Sequence, residues 1–208
     1  TMAALFPAVR AVGEGYGDKI FYLTAKTITR TVAEEAFEIL KSKGLSYKTL
    51  SITAKEKLCL LEEMECNPVH CPYAKGHFGR VNDAVFELLQ ESDMFTREEV
   101  LEQAKKHMVC PFEMSLDVAS WADNIICDYN YAYDPNVYLK RFFQEGVKGD
   151  YIFLVDEAHN LVDRSREMYS AAIYKEDFLA MKRLMKNYSK KIESHLERCN
   201  KILLEYKR

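Results

Sequence analysis

Helical and strand-like patterns of hydrophobic and polar positions alternate along the first part of the chain. Residues 2–12 carry apolar side chains at helical spacing, and residues 19–23 form a strand pattern after a glycine-rich turn. A second helical pattern covers residues 27–43, and residues 47–52 form another strand-like run. This β–α–β order predicts an α/β fold with a parallel sheet and right-handed crossovers.

The strand pattern stops between residues 55 and 113. No strand is expected there, and the segment carries cysteines and two helical patterns, at 81–91 and 96–106. The strand pattern resumes at residues 124–127 and 151–155. The sequence therefore predicts a helical insertion, residues 55–113, within an α/β domain.

Apolar side chains recur in steps of three and four from Phe178 to Tyr206. This seam has a period of about 3.5 residues, which predicts one long helix packing against a partner helix. Because the seam is unbroken where the chain stops at Arg208, we expect the sequence to be part of a longer protein.

Composition and charge narrow the class of protein. No apolar run approaches the roughly 20 residues that span a bilayer, so no membrane partner is expected. The net charge of −3 gives no global electrostatic case for nucleic-acid binding. Six cysteines in a chain without a secretion signal favour a reducing compartment, and we expect a cytoplasmic protein.

Four cysteines lie in or at the end of the predicted insertion: Cys59, Cys66, Cys71 and Cys110. Four thiolates can bind tetrahedral Zn²⁺ or an iron–sulfur cluster. The spacing lacks the paired C-x2-C of a zinc ribbon, yet the residues alone leave zinc and iron–sulfur equally open. Four ordinary buried thiols are the third interpretation. His70 and His77 lie close by and are weaker candidate ligands.

An acidic pair follows the last apolar run directly. Asp156-Glu157-Ala158-His159 comes after residues 151–155, at the carboxyl end of a predicted buried strand, where α/β proteins bind ligands. One carboxylate can hold the Mg²⁺ that bridges nucleotide phosphates, while the second activates water. The pattern is typical of the Walker B box of a helicase-type ATPase. The alternative is a solvated acidic pair that begins the next helix.

Several stretches occur in a characteristic order: FYLTAKT at 21–27, ITAKEKLC at 52–59, CPFE at 110–113, ADNIICDYNY at 122–131 and VDEAHNL at 155–161. Together they resemble the iron–sulfur superfamily-two DNA helicases of the XPD/DinG type, in their bacterial branch. The first stretch is similar to motif Ia, the fourth to the family's NYNYL segment and the last to its DEAH box. The resemblance covers about residues 1–165.

The resemblance implies a partial RecA-like parallel sheet with a helical four-cysteine iron–sulfur insertion and a long C-terminal helix from an arch domain. Residues 1–54 would be the first part of motor domain 1, and residues 55–113 the cluster domain. Residues 114–170 would return to motor domain 1 with the DEAH box, and residues 171–208 would begin the arch.

The resemblance also implies ligands and roles. A [4Fe–4S] cluster would be held by Cys59, Cys66, Cys71 and Cys110. Asp156 would coordinate Mg²⁺, Glu157 would be the base that activates water, and His159 would couple the nucleotide state to DNA binding. The chain contains no complete Walker A motif, and Thr1 would be its final residue, in contact with ATP. Contacts with single-stranded DNA would come from Thr24, Lys26, Thr27, Lys55 and Arg80.

The function implied is that of an ATP-dependent DNA helicase in the bacterial cytoplasm. It would translocate 5′ to 3′ on single-stranded DNA, in repair or recombination, together with the remaining helicase domains of the same polypeptide. These 208 residues alone would not turn over ATP. The alternatives are a non-enzymatic metal-stabilised module that binds DNA or another partner and, third, an electron-transfer protein. Tyr129, Tyr131 and Tyr133 either stack on bases or fill a domain interface.

Overall fold

The computed structural model describes residues 1–25 and 27–206, with the side chains of all of these except residues 27 and 28. The strands are β1 (Lys19–Thr24), β2 (Thr49–Ser51), β3 (Met94–Phe95), β4 (Asn124–Asp128) and β5 (Tyr151–Val155). The helices are α1 (Met2–Gly13), α2 (Thr27–Ser42), α3 (Lys55–Leu58), α4 (Val81–Glu91), α5 (Arg97–His107), α6 (Pro111–Trp121), α7 (Asn130–Tyr133), α8 (Lys140–Phe143), α9 (Leu161–Met168), α10 (Lys175–Met185) and α11 (Lys190–Glu205).

The five strands form one parallel sheet in the order β3-β2-β4-β1-β5, which confirms the predicted α/β class. Strand β1 is buried along its whole length because it lies between two strands and is covered on both faces. Successive side chains of a strand point to opposite faces. Accordingly Phe21 and Leu23 belong to one hydrophobic cluster, while Tyr22 belongs to another with Leu5 of α1 and Phe37 of α2.

The segment 55–113 packs on the same core as the sheet. Leu58, Val85 and Val100 are buried together with Phe21 and Ile125 of the central strands. The helices at 81–91 and 97–107 agree with the predicted patterns. Helix α5 begins with a capping box, in which the side chains of Thr96 and Glu99 each accept from the other's backbone N–H, so its start is fixed locally.

The expectation of no strand within this segment is wrong. Met94 and Phe95 form β3, which extends the sheet beyond β2 through the pairs Thr49–Met94 and Leu50–Phe95. Two residues are too few to produce a detectable alternation, so the sequence pattern does not reveal this strand. Both side chains are buried, and the chain therefore returns to the sheet before the cysteine segment ends.

Strand β5 lies at an edge of the sheet, and the expectation that it is buried is wrong. Among the described residues it pairs with β1 alone, and all five of its residues are at least partly exposed. Phe153 is 41% exposed on its solvent side. A continuous apolar run indicates a strand covered on both faces, but it carries no information about the number of neighbouring strands.

The chain divides into two compact units, residues 1–168 and 169–208. In the second unit α10 and α11 pack against each other, and Lys182 forms an ion pair of 3.6 Å with Glu197. The helical prediction for this region is confirmed, but a single continuous helix is wrong. The break falls at residues 186–189, where the Ser189 hydroxyl accepts from the Ile192 amide at 3.4 Å and starts a new helix. No helix within the described ranges is long and apolar enough to cross a membrane.

Candidate functional site

The acidic pair lies at the carboxyl edge of the parallel sheet. Thr24 ends β1 beside Asp128 at the end of β4, and the Asp156 amide donates to the Leu23 carbonyl at 2.9 Å, directly after β5. Three neighbouring strands therefore end together at Thr24, Asp128 and Asp156. This edge is where ligands bind in open α/β sheets.

Glu157 has a left-handed backbone conformation, with φ 50° and ψ 43°. It is followed by a 3-10 turn at Ala158–Asn160, closed by the Asn160 amide, which donates to the Glu157 carbonyl at 2.9 Å. His159 Nε2 lies 3.4 Å from Glu157 Oε2, and both side chains are largely exposed. Because this backbone region is sparsely populated by residues other than glycine, such conformations cluster at functional sites.

The first residue of the chain lies close to the acidic pair. Burial raises the pKa of the Tyr22 hydroxyl, a hydrogen bond with Thr1 lowers it, and the charge of Asp156 raises it further. Thr1 and Asp156 are thus both neighbours of one tyrosine side chain. The carbonyl of Thr1 accepts from the Leu5 amide at 3.0 Å, so Thr1 stands at the N-terminus of α1, the end of a helix that favours anions.

Tyr129 supports the acidic pair from β4. Its side chain is fully buried, and its hydroxyl donates to the backbone carbonyl of Asp156. Burial raises the pKa of this tyrosine, and the negative charges of Asp156 and Glu157 raise it further, so the hydroxyl keeps its proton. Tyr129 is therefore a core residue and presents no exposed face for the stacking of bases. Tyr131 is partly buried, and Tyr133 is 38% exposed.

The four cysteines of the predicted metal site line one cavity of about 400 Å³. The structure therefore brings together Cys59, Cys66, Cys71 and Cys110, all of them free thiols. Much of the wall is apolar, with Leu60, Leu61, Pro68 and Phe112. Within the described residues no three His, Cys, Asp or Glu side chains stand close enough to bind a single ion.

One further side chain, that of His77, supports this cysteine cavity. Buried His77 uses Nδ1 to accept the Cys110 amide at 3.2 Å, and burial lowers the pKa of the imidazole, so His77 acts as a neutral support. Burial also raises the pKa of the Cys110 thiol. His70 is exposed and pairs with Glu65 at 2.9 Å.

Lys55 stands between the cysteine cavity and a second, larger depression. Its Nζ lies 3.6 Å from Glu113 Oε1 and 5.5 Å from the centre of the Phe112 ring. Burial lowers the pKa of Lys55, but the neighbouring Cys66, Glu113 and Cys110 outweigh burial and raise the pKa overall. Lys55 and Phe112 line both cavities, so a single wall separates the cysteines from the groove described next.

The second depression, which we call the groove, has a volume of about 950 Å³ and runs along the carboxyl edge of the sheet. Its lining includes the strand ends Thr24 and Asp128, the aromatic side chains of Tyr131 and Tyr138, and several cations. The cations are Arg30, Lys55, Lys57, Lys140 and Arg141. Concave surfaces that combine positive charge with aromatic rings are typical of sites for single-stranded nucleic acid.

The residues predicted to contact DNA do not all fall in this groove. Thr24 and Lys55 line it, although Thr24 is almost fully buried and its hydroxyl donates to the Cys127 carbonyl at 3.4 Å. Lys26 and the side chain of Thr27 lie outside the described residues. Arg80 lies elsewhere, where its guanidinium donates to three backbone carbonyls, those of Lys75, His107 and Met108.

Sequence reasoning missed several residues of this edge. Arg164 of α9 contacts Asp128 and Asn130, and Tyr138, Lys140 and Arg141 line the groove. Their side chains come from a stretch without strong periodicity, so the sequence offered no signal beyond the local density of aromatic and basic residues.

The fold is similar to that of solved helicase structures. A chain described as "Truncated XPD" aligns with 99% of this chain and 58% of its own length, with a TM-score of 0.60 and 17% identity. A chain described as "XPD_Helicase" aligns with 91% of this chain and 33% of its own, with a TM-score of 0.54 and 18% identity. At these identities the similarity establishes the fold.

The family follows from the sequence comparisons. The DEAD_2 family model matches residues 24–178, so the chain belongs to the DEAD_2 family of XPD/DinG-type helicases, as the resemblance predicted. The Fanconi anemia group J protein homolog of Gallus gallus is 33% identical over 76 residues, which cover 36% of this chain. Regulator of telomere elongation helicase 1 of Pongo abelii is 26% identical over 165 residues, or 73% of this chain. The chain spans only 6% and 12% of the lengths of these two relatives.

Proposed function

We propose that this chain is part of an ATP-dependent DNA helicase that moves 5′ to 3′ along single-stranded DNA. The observation that carries the proposal is the position of Asp156 and Glu157 at the carboxyl edge of the sheet, next to a groove with basic and aromatic walls. The family match supports the same conclusion. A role in DNA repair or recombination in the bacterial cytoplasm completes the proposal.

For nucleotide hydrolysis we assign Asp156 to Mg²⁺ and Glu157 to the attacking water. When bound, Mg²⁺ neutralises the phosphates of ATP and orients them. Glu157 is exposed and accepts a proton from water as a general base, while the Tyr129 hydrogen bond fixes the backbone of Asp156. Thr1, at the N-terminus of α1, contacts ATP, and His159 couples hydrolysis to DNA binding.

For the cysteine cavity we propose a [4Fe–4S] cluster held by Cys59, Cys66, Cys71 and Cys110. The donor set fits because four free thiols line one cavity whose volume of about 400 Å³ is far larger than the ~30 Å³ occupied by one water molecule. Cysteine thiolates are the ligands of such clusters. The cluster would tie the cysteine loops of residues 55–113 together, making this segment the cluster domain.

For DNA we propose that one strand follows the groove. Thr24 and Lys55 contribute from the sheet edge, and Lys26 and Thr27 are proposed as further contacts. Basic side chains hold the phosphates, whereas Tyr131 and Tyr138 offer surfaces for stacking of bases. Arg80, in the proposed cluster domain, is a further proposed contact with DNA. In this structure its guanidinium donates to the backbone carbonyls of His107 and Met108.

The domain assignment follows the same scheme. Residues 1–54 and 114–170 are parts of motor domain 1, residues 55–113 are the cluster domain, and residues 171–208 begin the arch. The remaining helicase domains of the polypeptide supply the second wall of the ATP site. The 208 residues alone therefore bind no ATP in a form competent for hydrolysis.

The decisive experiment measures ATP hydrolysis and strand separation by the complete helicase. We expect hydrolysis to rise on addition of single-stranded DNA, and a duplex with a 5′ tail to be unwound in preference to one with a 3′ tail. The 208-residue chain serves as the control and should show no turnover. If metal and DNA bind but neither protein hydrolyses ATP, the non-enzymatic metal-stabilised module is the correct function, with iron or zinc identified by elemental analysis and visible absorption.

A further inference from the structure

We propose that Arg164 is a positioning residue that links the acidic turn at residues 156–160 to the groove. It would make the affinity for single-stranded DNA depend on the nucleotide state. This inference rests on the proposed function, and it assigns a role to a side chain outside the DEAH box.

The contacts of Arg164 join two segments that are far apart in the sequence. Its Nη2 donates to Asp128 Oδ1 at 3.2 Å and to Asn130 Oδ1 at 3.1 Å. Both acceptors line the groove, whereas Arg164 lies on α9, which begins directly after the acidic turn. One guanidinium thus connects the element that follows the acidic turn with the wall of the groove.

Asp128 serves two partners with one oxygen. Its Oδ1 also accepts the backbone amide of Asn130 at 2.9 Å, and this bond forms the turn from which α7 begins. A displacement of Arg164 therefore acts on Asn130, where α7 begins. It also acts on Tyr131, the residue after Asn130, which lines the groove.

A second bond runs in parallel with the first. The hydroxyl of Tyr129 donates to the carbonyl of Asp156, so three successive residues, 128, 129 and 130, are all tied to the segment 156–164. The Asp156 end of this segment is fixed to the sheet by its amide, and the left-handed Glu157 follows directly. A rearrangement around Glu157 moves the first turn of α9, and Arg164 carries that movement to the groove.

The chemistry of the side chain suits this task. Arginine presents several donors in a planar fork, which lysine cannot reproduce. Here one nitrogen bonds to two acceptors, while the buried Nε lacks a hydrogen-bond partner within the described part of the chain. A buried donor without a hydrogen-bond partner destabilises the protein. The Nε of Arg164 is therefore able to bond to any acceptor that the acidic turn brings closer in another nucleotide state.

The same helix provides a matched control. Arg166 lies two residues further along α9, where its Nη1 lies 3.1 Å from Asp163 Oδ1. Both of these side chains are at least three-quarters exposed, and they are three residues apart on one helix. Arg166→Ala removes the same charge from the same helix and leaves the groove wall untouched.

The test measures the dissociation constant of labelled oligothymidine from the complete helicase, with and without a non-hydrolysable ATP analogue. In the unaltered protein and in Arg166→Ala, we expect the analogue to change the dissociation constant by about 5- to 150-fold. In Arg164→Ala we expect this ratio to fall to within about twofold of one. Asp128→Asn keeps the acceptor for the Asn130 amide but loses the charge, and it should reduce the ratio as well. The variant with both substitutions should lower the ratio no further than the more affected single variant does, because both substitutions remove the same interaction.

These measurements distinguish failure of the role of Arg164 from failure of the proposed function. If Arg164→Ala weakens DNA binding equally in both nucleotide states, or leaves it unchanged, the ratio is preserved and the coupling role is refuted. Should Arg164→Ala fail to fold, the ratio in Asp128→Asn decides, and a preserved ratio refutes the inference in the same way. If the unaltered protein itself shows no DNA binding that depends on the analogue, the proposed function fails, and the inference fails with it.

Discussion

The hydroxyl of Tyr129 donates a hydrogen bond to the backbone carbonyl of Asp156, across the sheet edge from β4 to the residue after β5. Strand β1 lies between these two strands, so the bond passes over its end, at Thr24. The tyrosine is fully buried, and its ring fills the core while its polar tip fixes the backbone of the first acidic residue. One side chain therefore has both a packing role and a role at the site.

Replacement of Tyr129 by Phe removes this bond and little volume. Because it leaves the Asp156 carbonyl with one acceptor position unfilled, we expect the free energy of unfolding to fall by about 1–3 kcal/mol. Urea denaturation of both proteins measures the difference. Tyr16→Phe is the control, since Tyr16 is 77% exposed, and a change of about 0.5 kcal/mol or less is expected there. Equal losses in the two variants would contradict the structural role of the Tyr129 hydroxyl.

Glu157→Gln in the complete helicase preserves the shape of the side chain and removes the proposed base. We expect the rate of ATP hydrolysis to fall by about 10²- to 10⁴-fold while ATP still binds, because general base catalysis contributes in this range. Steady-state hydrolysis and equilibrium binding of ATP check the two halves of the prediction. Asp163→Asn removes an exposed carboxylate from the nearby α9 and should hydrolyse ATP normally. Normal turnover in Glu157→Gln would eliminate the assigned role.

Cys110→Ser removes one of the four proposed cluster ligands. We expect loss of the brown absorbance of the proposed cluster and loss of helical signal from residues 55–113, since the cluster would tie these loops together. Visible absorption and circular dichroism of the purified protein measure both effects. Cys199→Ser, on α11 in the second compact unit, is the matched change and should leave both signals intact. A variant of Cys110 that stays brown and fully helical would show that the ligand assignment is wrong.

Glu87 joins α4 to α5 and gives a prediction for pH. Hydrogen bonds from Lys106, then His107 and Gln103, lower the pKa of Glu87 from 4.5 to about 2. A carboxyl group with a depressed pKa in the folded state stabilises the fold above its unfolded pKa, and this contribution disappears as the pH falls. We therefore expect the stability lost by Glu87→Gln to be constant above about pH 4.5 and to vanish towards pH 2.

Urea denaturation between pH 2 and pH 6 follows this difference for the Glu87 variant. Glu38→Gln on α2 is the control because Glu38 is an exposed carboxylate on a different helix. The explanation fails if the difference between Glu87→Gln and the unaltered protein is independent of pH over this range.

Local signals were sufficient for α1, α2, α4 and α5 and for the longer strands, whereas α6 was not predicted. The run 151–155 was found at the predicted residues because five consecutive apolar residues followed by two acids leave little choice of structure. The four cysteines were singled out by residue type and spacing, and the structure brings them to one cavity. Strand β3 was not predicted because two residues are too few to show a period. The break at residues 186–189 was not predicted because the apolar spacing continues across it.

Long-range relationships were beyond local patterns. Arg164 is separated from Asp128 by 36 positions, and nothing in either segment points to the other. Arg80 illustrates the opposite case, since a basic residue after two glycines suggested a phosphate contact, whereas its guanidinium donates to three backbone carbonyls. The position of β5 at the edge also depends on sheet order, which hydropathy does not encode.

The outer side of β5 has a practical consequence for handling the 208-residue chain. Within the described residues its backbone donors and acceptors on that side have no strand opposite them, and the partly exposed Phe153 adds an apolar side chain on the face of this edge strand. Such a border is a template for pairing with another chain. Preparations of this polypeptide alone should self-associate as concentration rises, and Phe153→Lys should keep them monodisperse.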